Sequence, residues 1–526
     1  MKMRSGRERT STLLGPIAVI LALPVVPAHA DSRAGLHDCR SMGTVDFSRI
    51  VDAPAQILHA ESVATSNNIA GYCELSGYTI PNVKFLIRLP VTWNGKFIER
   101  GCPGFCGDVP YIIGPFCDSA VRKGYACLVS DNGHSSTIGD AKWAYNNLQA
   151  EIDHAYRGAH VTALAAKAIV AQYYGKLPTH SYFVGSSSGG RQAMQEAQKF
   201  PWDFDGIVAG WPSLSAPAIF MSLIWSYRTL LDKRGEPVLH QADLDLLHEA
   251  VLAKCDLNDG IRDGLIGDPR ACAFDPSSLL CNPHNMGHCL TMQQIDAVRN
   301  IYRGPTTSKG ETIYMPIALR GSERTWLLGA VGPPTIALAR EAFRYSMFQP
   351  SPGPTWNVED FDFDRDFKRL GLASALHDAV NPDLRVFKAA GGKLLAVAGW
   401  NDGASTTMAA IDYYETAEKI LGRAATQSFF RLFVLPGTGH GPEGDGASCV
   451  DLVSALENWV ERSQAPDKVI GSHLKKGYDC DELTGGDLSG ADFTRPVYPY
   501  PVNAVYAGRG DPRSAASFKP QAPAAP

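Results

Sequence analysis

The sequence predicts an α/β fold, and three observations support that class. Short apolar runs alternate with helix-forming segments in both halves of the chain. One run, Tyr182 to Val184, stops at a turn rich in glycine and serine that leads into a helix-forming segment, Arg191 to Lys199. Two later apolar runs each end in a short loop that carries an ionisable side chain. Strands that alternate with helices are typical of a mostly parallel sheet with helices packed on its faces.

The turn after Val184 has the pattern G-x-S-x-G, from Gly185 to Gly189. In this pattern a strand turns sharply into a helix and presents the middle serine above the edge of the sheet. Ser187 is therefore the candidate nucleophile, and the N–H of Ser188 is a candidate donor to a developing oxyanion. Glycine and serine also form ordinary flexible loops, so this interpretation depends on the strand before the turn and the helix after it.

The chain before the turn supplies the other elements of a sheet. Strand-like alternation ends in a glycine-rich loop, Gly101 to Gly107, where hydrolases of this type place a second oxyanion donor. Cys102, Pro103 and Gly104 are the candidates for that role, and a tight turn closed by a disulfide is the alternative; both can hold. The expected strands are 71–78, 83–89, 96–100, 125–131 and a short one within 204–212, with a long helix over 151–174.

The strand rhythm disappears between about residues 213 and 390 and then returns. We therefore expect an α/β-hydrolase core in two parts, 31–212 and 391–526, separated by a large inserted lid domain over 213–390. The second part contains the expected strands 392–399 and 430–435 and a helix over 408–419. The last fifty residues are rich in glycine and proline, and we expect them to wrap the surface, with the final ten disordered.

Ser187, Asp402 and His440 occur in the chain order Ser, Asp, His, and each follows the end of an expected strand. The carboxyl ends of parallel strands meet at one edge of a sheet, so these side chains are expected to form a catalytic triad. Asp402 would orient His440, which would take the proton of Ser187. The alternatives are a turn aspartate at 402 and a loop histidine at 440. His134 is a rival base, but it precedes the serine turn.

Composition indicates an exported protein. The chain has 526 residues with a net charge of −5 and no basic stripe, which argues against nucleic acid as a partner. Basic residues, a short apolar stretch and Ala28-His29-Ala30 predict a signal peptide over residues 1–30, and no stretch is long enough to span a membrane. We expect a secreted or periplasmic protein in which the twelve cysteines mostly form disulfides. The sequence leaves the oligomeric state open.

The expected lid carries a second cluster of functional residue types, between Cys255 and Pro269. The carboxylates of Asp256, Asp259 and Asp263 alternate with glycines, and the carbonyls of Ile261 and Leu265 lie among them. Such a set of oxygen atoms suits calcium, which takes six to eight oxygen ligands. The spacing differs from an EF-hand, and a run of Asp-Gly turns is the alternative.

Segments spread over most of the chain share a pattern with one known family: Leu89–Phe97, Gly133-His134, Tyr174-Gly175, Ser181–Gln192, Pro201–Gly210, the Asp-Gly loop, Gly399–Asp402 and Pro499–Pro501. In these segments the chain resembles the tannase and feruloyl esterase family, which also contains mono(2-hydroxyethyl) terephthalate hydrolase. The resemblance implies an α/β-hydrolase core, a lid with a structural calcium, and hydrolysis of aromatic carboxylic esters. It implies Ser187, Asp402 and His440 as triad, and Asp256, Asp259, Ile261, Asp263 and Leu265 as calcium ligands. It also implies the pairs Cys255–Cys272, Cys281–Cys289 and Cys39–Cys73, and leaves six cysteines unassigned.

The sequence departs from the family beside the active site. The family usually has bridged cysteines directly before the nucleophile and directly after the base, and here those positions are Ser186 and Gly441.

We expect a secreted serine esterase for small aromatic esters of the feruloyl or galloyl type. A terephthalate half-ester or another aryl ester is the alternative substrate. A catalytically silent hydrolase fold used for binding is the alternative from another functional class.

Overall fold

The computed structural model describes residues 38–522 except 67–68, 108, 286, 328–331, 406, 479, 482–484 and 487. The expected signal peptide therefore lies outside the described residues. The centre of the molecule is a nine-stranded sheet. Its strands are β1 (Ala55–Val63), β2 (Tyr72–Thr79), β3 (Val83–Pro90), β4 (Lys96–Arg100), β5 (Ala126–Ser130), β6 (His180–Ser186), β7 (Gly206–Gly210), β8 (Lys393–Gly399) and β9 (Phe430–Leu435).

The strand order is β1-β2-β3-β5-β4-β6-β7-β8-β9. The connection from β3 to β4 therefore crosses over the position that β5 takes between them. The first three strands and β5 pair antiparallel, and every pair from β5 to β9 is parallel. All residues of β5 and β7 are buried, which explains why these strands are continuous apolar runs in the sequence. This is the α/β-hydrolase fold that the sequence predicts.

Helices cover both faces of the sheet. Those of the core are α1 (Val109–Arg122), α2 (Leu148–Ile152), α3 (Gly158–Tyr174), α4 (Ser188–Lys199), α11 (Thr407–Leu421), α12 (Arg423–Gln427) and α13 (Leu452–Arg462). The helix expected over 151–174 is interrupted by a π-helical turn, Asp153–Arg157, that buries Asp153 and His154. Such single π turns are frequent at functional sites. Within the described part of the chain, no helix is both long and apolar enough to cross a membrane.

The segment between β7 and β8 adds no strand to the central sheet among its described residues. Its helices pack around an apolar cluster of their own, which includes Trp326, Phe343, Phe348 and Phe361. The loss of strand rhythm in the sequence thus corresponds to a helical insertion. The insertion contains α5 (Ala216–Thr229), α6 (Gln241–Cys255), α7 (Met292–Arg303), α8 (Pro333–Tyr345), α9 (Gly371–His377) and α10 (Arg385–Ala389).

The C-terminal region contains short strands that pair in twos, β10 with β13, β11 with β12 and β14 with β15. The expectation that the final ten residues are disordered is wrong for residues 517–522, because Phe518–Gln521 pairs with Asn503–Tyr506 and Phe518 is buried. These strands are β10 (Val469–Leu474), β11 (Cys480–Asp481), β12 (Gly485–Gly486), β13 (Ala491–Val497), β14 (Asn503–Tyr506) and β15 (Phe518–Gln521).

All twelve cysteines form disulfides. The three pairs that the family resemblance implies are present, namely Cys39–Cys73, Cys255–Cys272 and Cys281–Cys289. The sequence could not assign the other three because several partners lie at similar separations. They are Cys102–Cys106, Cys117–Cys127 and Cys449–Cys480.

Candidate active site

Ser187 lies in the sharp turn between β6 and α4. Its φ of 60° and ψ of −119° belong to a region that side chains other than glycine rarely adopt. The flanking glycines make the turn possible, because a Cβ on Gly185 would lie 2.3 Å from the carbonyl oxygen of Gly189. A Cβ on Gly190 would lie equally close to the carbonyl oxygen of Gly210 on β7. The backbone therefore holds Ser187 in a strained conformation, as a nucleophile elbow requires.

Asp402 and His440 follow β8 and β9 and lie beside each other. Nδ1 of His440 is 3.0 Å from Oδ2 and 3.1 Å from Oδ1 of Asp402. The Asp402 side chain is buried, whereas the imidazole is partly exposed. A buried carboxylate beside Nδ1 favours the tautomer with the proton on Nδ1, in which Nε2 carries the lone pair that accepts a proton.

Ser405, which sequence analysis did not single out, also contacts this carboxylate. Its N–H donates to Oδ1 of Asp402 at 2.9 Å, and its hydroxyl donates to Oδ2 at 2.6 Å. The N–H of Ala404 donates to Oδ1 at 2.8 Å. These bonds satisfy the carboxylate and fix its orientation towards His440. A serine three residues after the aspartate was the only signal in the sequence.

The structure reduces the number of candidate oxyanion donors in the loop from Gly101 to Gly107. The N–H of Cys102 already donates to Oε1 of Gln192, so Cys102 is not a free donor, and Pro103 has no N–H. Gly104 remains, and it lines the same cavity as Ser187 and Ser188. Ser188 is the first residue of α4, so its N–H has no acceptor within the helix. The loop is also closed by the Cys102–Cys106 disulfide, so it forms the tight turn that the sequence offered as the alternative.

A cavity of 680 Å³ lies between the Ser187 turn and the helical insertion. Ser187 and His440 open onto it, and so do residues of both the core and the insertion. Its volume and its mostly apolar wall are typical of sites for small organic molecules. The apolar side chains of that wall are Phe105, Ile138, Trp143, Ile219, Phe220, Leu223, Leu338 and Met347.

A second cavity, of 950 Å³, meets the first at Ser187 and His440. It lies on the Ser186 side of the turn and is more polar, with Arg100, Arg122 and Asp481 in its wall. Ser187 therefore lies between an apolar and a polar cavity. Since the acyl and alcohol parts of an ester lie on opposite sides of the attacked carbon, each cavity could hold one part.

Arg191, His154 and His377 line the apolar cavity at its most buried part. The Arg191 guanidinium donates to the carbonyl oxygen of Ala155 at 2.7 Å, and burial lowers its pKa to about 10. Burial, and then the charge of Arg191, lowers the pKa of His377 to about 3 and that of His154 well below its usual value. Both imidazoles are therefore neutral at pH 7 and neither competes with His440 for a proton.

His134, the rival base, is away from this arrangement. Its ring stacks on Trp143 with centroids 3.7 Å apart, and it lines neither cavity at Ser187. Burial lowers its pKa to about 4, so that it stays neutral.

The Asp-Gly loop follows α6 in the insertion. Asp256 accepts hydrogen bonds from Gly264 N–H at 3.2 Å, and Asp263 pairs with Arg495 at 2.6 Å. Burial, and then the charge of Asp263, raises the pKa of Asp259 to about 7, and burial raises that of Asp256. One guanidinium therefore does not balance the three carboxylates. The candidate ligands of this loop are all oxygen atoms, and the loop carries excess negative charge. Both features fit a calcium ion.

Known proteins are similar to this chain over most of its length. The family model described as tannase and feruloyl esterase matches residues 67–520. The mono(2-hydroxyethyl) terephthalate hydrolase of Piscinibacter sakaiensis is 31% identical over 90% of this chain and 89% of its own length. A probable feruloyl esterase of Arthroderma benhamiae is 30% identical over 83% of this chain and 82% of its own length.

A solved structure shares the fold. The crystal structure of feruloyl esterase B from Aspergillus oryzae superposes with a TM-score of 0.79 at 24% identity, over 92% of this chain and 100% of that chain. With the family match over most of the sequence, these findings show that the chain belongs to the tannase and feruloyl esterase family and is a carboxylic ester hydrolase.

Proposed function

We propose that this protein is a serine esterase that hydrolyses small aromatic carboxylic esters of the feruloyl or galloyl type. The observation that carries the proposal is that Ser187 and His440, which is paired with Asp402, line the same apolar cavity. Ser187 attacks the ester carbon while Nε2 of His440 accepts its proton, and an acyl-enzyme forms as the alcohol leaves with that proton. Water then attacks the acyl-enzyme by the same route.

The developing oxyanion would be held by the N–H groups of Ser188 and Gly104. Two preorganised backbone donors are the usual arrangement, and removal of one such donor costs about 10²–10³ in kcat. Asp402 holds the imidazole in place and stabilises its protonated form. The intact set of reacting groups argues against the alternative of a catalytically silent binding protein.

The acyl group is assigned to the 680 Å³ cavity and the alcohol to the polar one. Phe105, Trp143 and Phe220 provide flat apolar surface for an aromatic acid. A feruloyl or galloyl ring also carries hydroxyl groups, for which neutral His154 and His377 are suitable partners. A terephthalate half-ester remains the second candidate, because a relative with that activity in its name is 31% identical.

The helical insertion, residues 213–390, is proposed to act as a lid. It supplies Ile219, Phe220 and Leu338 to the wall of the cavity, so it shapes the acyl pocket. Asp256, Asp259 and Asp263, with the carbonyls of Ile261 and Leu265, would hold a calcium ion that neutralises the loop and stabilises it. The ion has no part in the chemical steps.

The protein is further proposed to be exported, to the periplasm or the medium. Six disulfides suit an oxidising compartment, and the N-terminal sequence has the features of a cleaved signal peptide. Fractionation of the producing cells tests this assignment. Activity that stays in the cytoplasm would contradict it.

Labelling with a fluorophosphonate probe tests the mechanism, because the probe modifies an activated serine. We expect one label on wild type, mapped to Ser187, and none on Ser187→Ala. A panel of methyl ferulate, methyl gallate and mono(2-hydroxyethyl) terephthalate tests the substrate class. The highest kcat/KM on the terephthalate ester would favour the second candidate, and absence of labelling and turnover would favour a binding protein.

A further inference from the structure

Three side chains of metal-binding type converge on the far side of α4 from the cavities. His160 belongs to α3, Glu196 to α4, and Asp203 to the loop between α4 and β7. One ligand atom from each lies within 4.8 Å of the other two, and Nδ1 of His160 is 2.5 Å from Oδ2 of Asp203. None of the three lines either cavity at Ser187. The cluster is therefore separate from the candidate active site.

Several oxygen atoms of this cluster are buried without a partner. Both carboxylate oxygens of Glu196 and Oδ1 of Asp203 have no hydrogen-bond partner among the described residues. Glu196 is 0% and Asp203 is 2% exposed. A buried polar group without a partner costs about 1–3 kcal/mol, and more when it is charged. These oxygens are thus available to a ligand that the protein atoms do not provide.

The local charge points to the kind of ligand. Glu99 is buried next to the cluster, with Oε1 accepting from Thr162 at 2.9 Å and Oε2 without a partner among the described residues. Lys167 donates to the main-chain oxygen of Asp203 and places one ammonium near the cluster. With all three carboxyl groups ionised, three carboxylates and this ammonium leave two negative charges.

We propose that His160, Glu196 and Asp203 bind one first-row divalent cation, such as Zn²⁺. A cation of charge +2 balances the two excess negative charges. An imidazole with two carboxylates is a donor set that suits Zn²⁺ or Mn²⁺, whereas calcium prefers oxygen alone. The ion connects α3, α4 and the loop before β7, so its role is to stabilise the helix that begins at the nucleophile.

Zinc content and thermal stability test the proposal. The full chain is purified without a histidine tag, stripped with EDTA, returned to Zn²⁺ and dialysed. We expect wild type to retain one more zinc per chain than Glu196→Gln, and its Tm to rise by about 3 °C or more with Zn²⁺. Glu196→Gln keeps the shape of the side chain but removes the charged ligand, so its Tm should not respond. His160→Gln provides a second variant should the first fail to fold.

The matched control is Asp259→Asn, which alters the Asp-Gly loop and leaves this cluster intact. It should retain the zinc and the rise in Tm. Equal zinc content in wild type and in both cluster variants would overturn the proposal. So would a wild-type Tm that Zn²⁺ leaves unchanged.

Discussion

The carboxylate of Asp402 accepts a hydrogen bond from the imidazole of His440, with Oδ2 3.0 Å from Nδ1. The same oxygen accepts a hydrogen bond from the hydroxyl of Ser405 at 2.6 Å. The loops after β8 and β9 are therefore joined at one buried carboxylate. That connection sets the orientation of the imidazole towards Ser187, and the first two predictions concern it.

Ser187→Ala should abolish esterase turnover while leaving the fold intact. Loss of the nucleophile or the base of a triad lowers kcat by about 10⁴-fold or more, and His440→Ala should cost about as much because the members act as a unit. The measurement is kcat/KM on an activated aryl ester, with the melting temperature as a check on folding. Ser428→Ala, at an exposed position outside both cavities, is the control and should keep activity within a few fold. If Ser187→Ala retains more than about a tenth of the activity, the nucleophile is misassigned.

Ser405→Ala tests the positioning of Asp402. Without the hydroxyl, one oxygen of the carboxylate loses a donor at 2.6 Å, and the imidazole is held less firmly. We expect kcat to fall about tenfold with KM nearly unchanged, as for an interaction that matters mainly in the transition state. The acid limb of the pH–kcat profile should move to higher pH, because a carboxylate that has lost one hydrogen-bond donor attracts the proton on His440 more strongly. A loss of stability with an unchanged kcat and pH profile would show a purely structural role.

The sequence singles out Ser187, Asp402 and His440 because each follows the end of an apolar run that forms a strand. The apolar runs at 393–399 and 430–435 are unmistakable, and the loops after them are short. Ser405 was missed because its contact depends on how the loop after Asp402 turns. The hydrogen bond from the N–H of Cys102 to Gln192, 90 residues away in the chain, could not be predicted for a similar reason.

The interior of the helical insertion was also beyond sequence reasoning. Helical periodicity shows that a segment has an apolar face but not which partner covers it. The walls of the 680 Å³ cavity come from α5, α8 and the loop at Phe105, which are distant in sequence. The cluster at Glu196 was missed because its three members carry no common motif. Only the packing of α3 against α4 brings them together.

Calcium removal should destabilise the protein through the Asp-Gly loop. Asp259 has a pKa raised to about 7 because it is buried near Asp263, and a bound cation would relieve this cost. EDTA should lower the melting temperature of wild type by several degrees, and added Ca²⁺ should restore it. Asp259→Asn should remove the response to Ca²⁺. Metal analysis that finds no calcium in protein purified without chelator would contradict the assignment.

Glu151→Gln should change how stability depends on pH. Glu151 is buried, accepts a hydrogen bond from Gln349 at 3.3 Å, and has a pKa raised to about 7 by burial. The folded protein keeps this proton up to about pH 7, whereas the unfolded chain loses it near 4.5. Wild type therefore loses stability at this residue as the pH rises through that window. The Tm of the variant relative to wild type should rise between pH 5 and pH 8, and a constant difference would refute the prediction.

This chain has Ser186 and Gly441, not cysteines, at the two positions beside the nucleophile and the base. Gly441, directly after the base, has a φ of 98°, a conformation that glycine adopts freely and other residues do not. Gly441→Ala should therefore cost about 1–2 kcal/mol of stability. Ser186, directly before the nucleophile, lines the polar cavity, so its replacement also changes the space offered to the alcohol.

Ser186→Cys with Gly441→Cys should form a disulfide if the two Cα atoms lie within about 7 Å. The bridge would restrain the loop after β9, and we expect a higher Tm than that of Gly441→Cys alone, because the closed loop offsets the strain at 441. Mass spectrometry before and after alkylation measures the bridge, and Tm with and without reductant measures its effect. Two free thiols in the oxidised, folded double variant would show that the His440 loop lies too far from the Ser187 turn. The restraint on His440 would then come from noncovalent contacts, including those to Asp402 and Ser405.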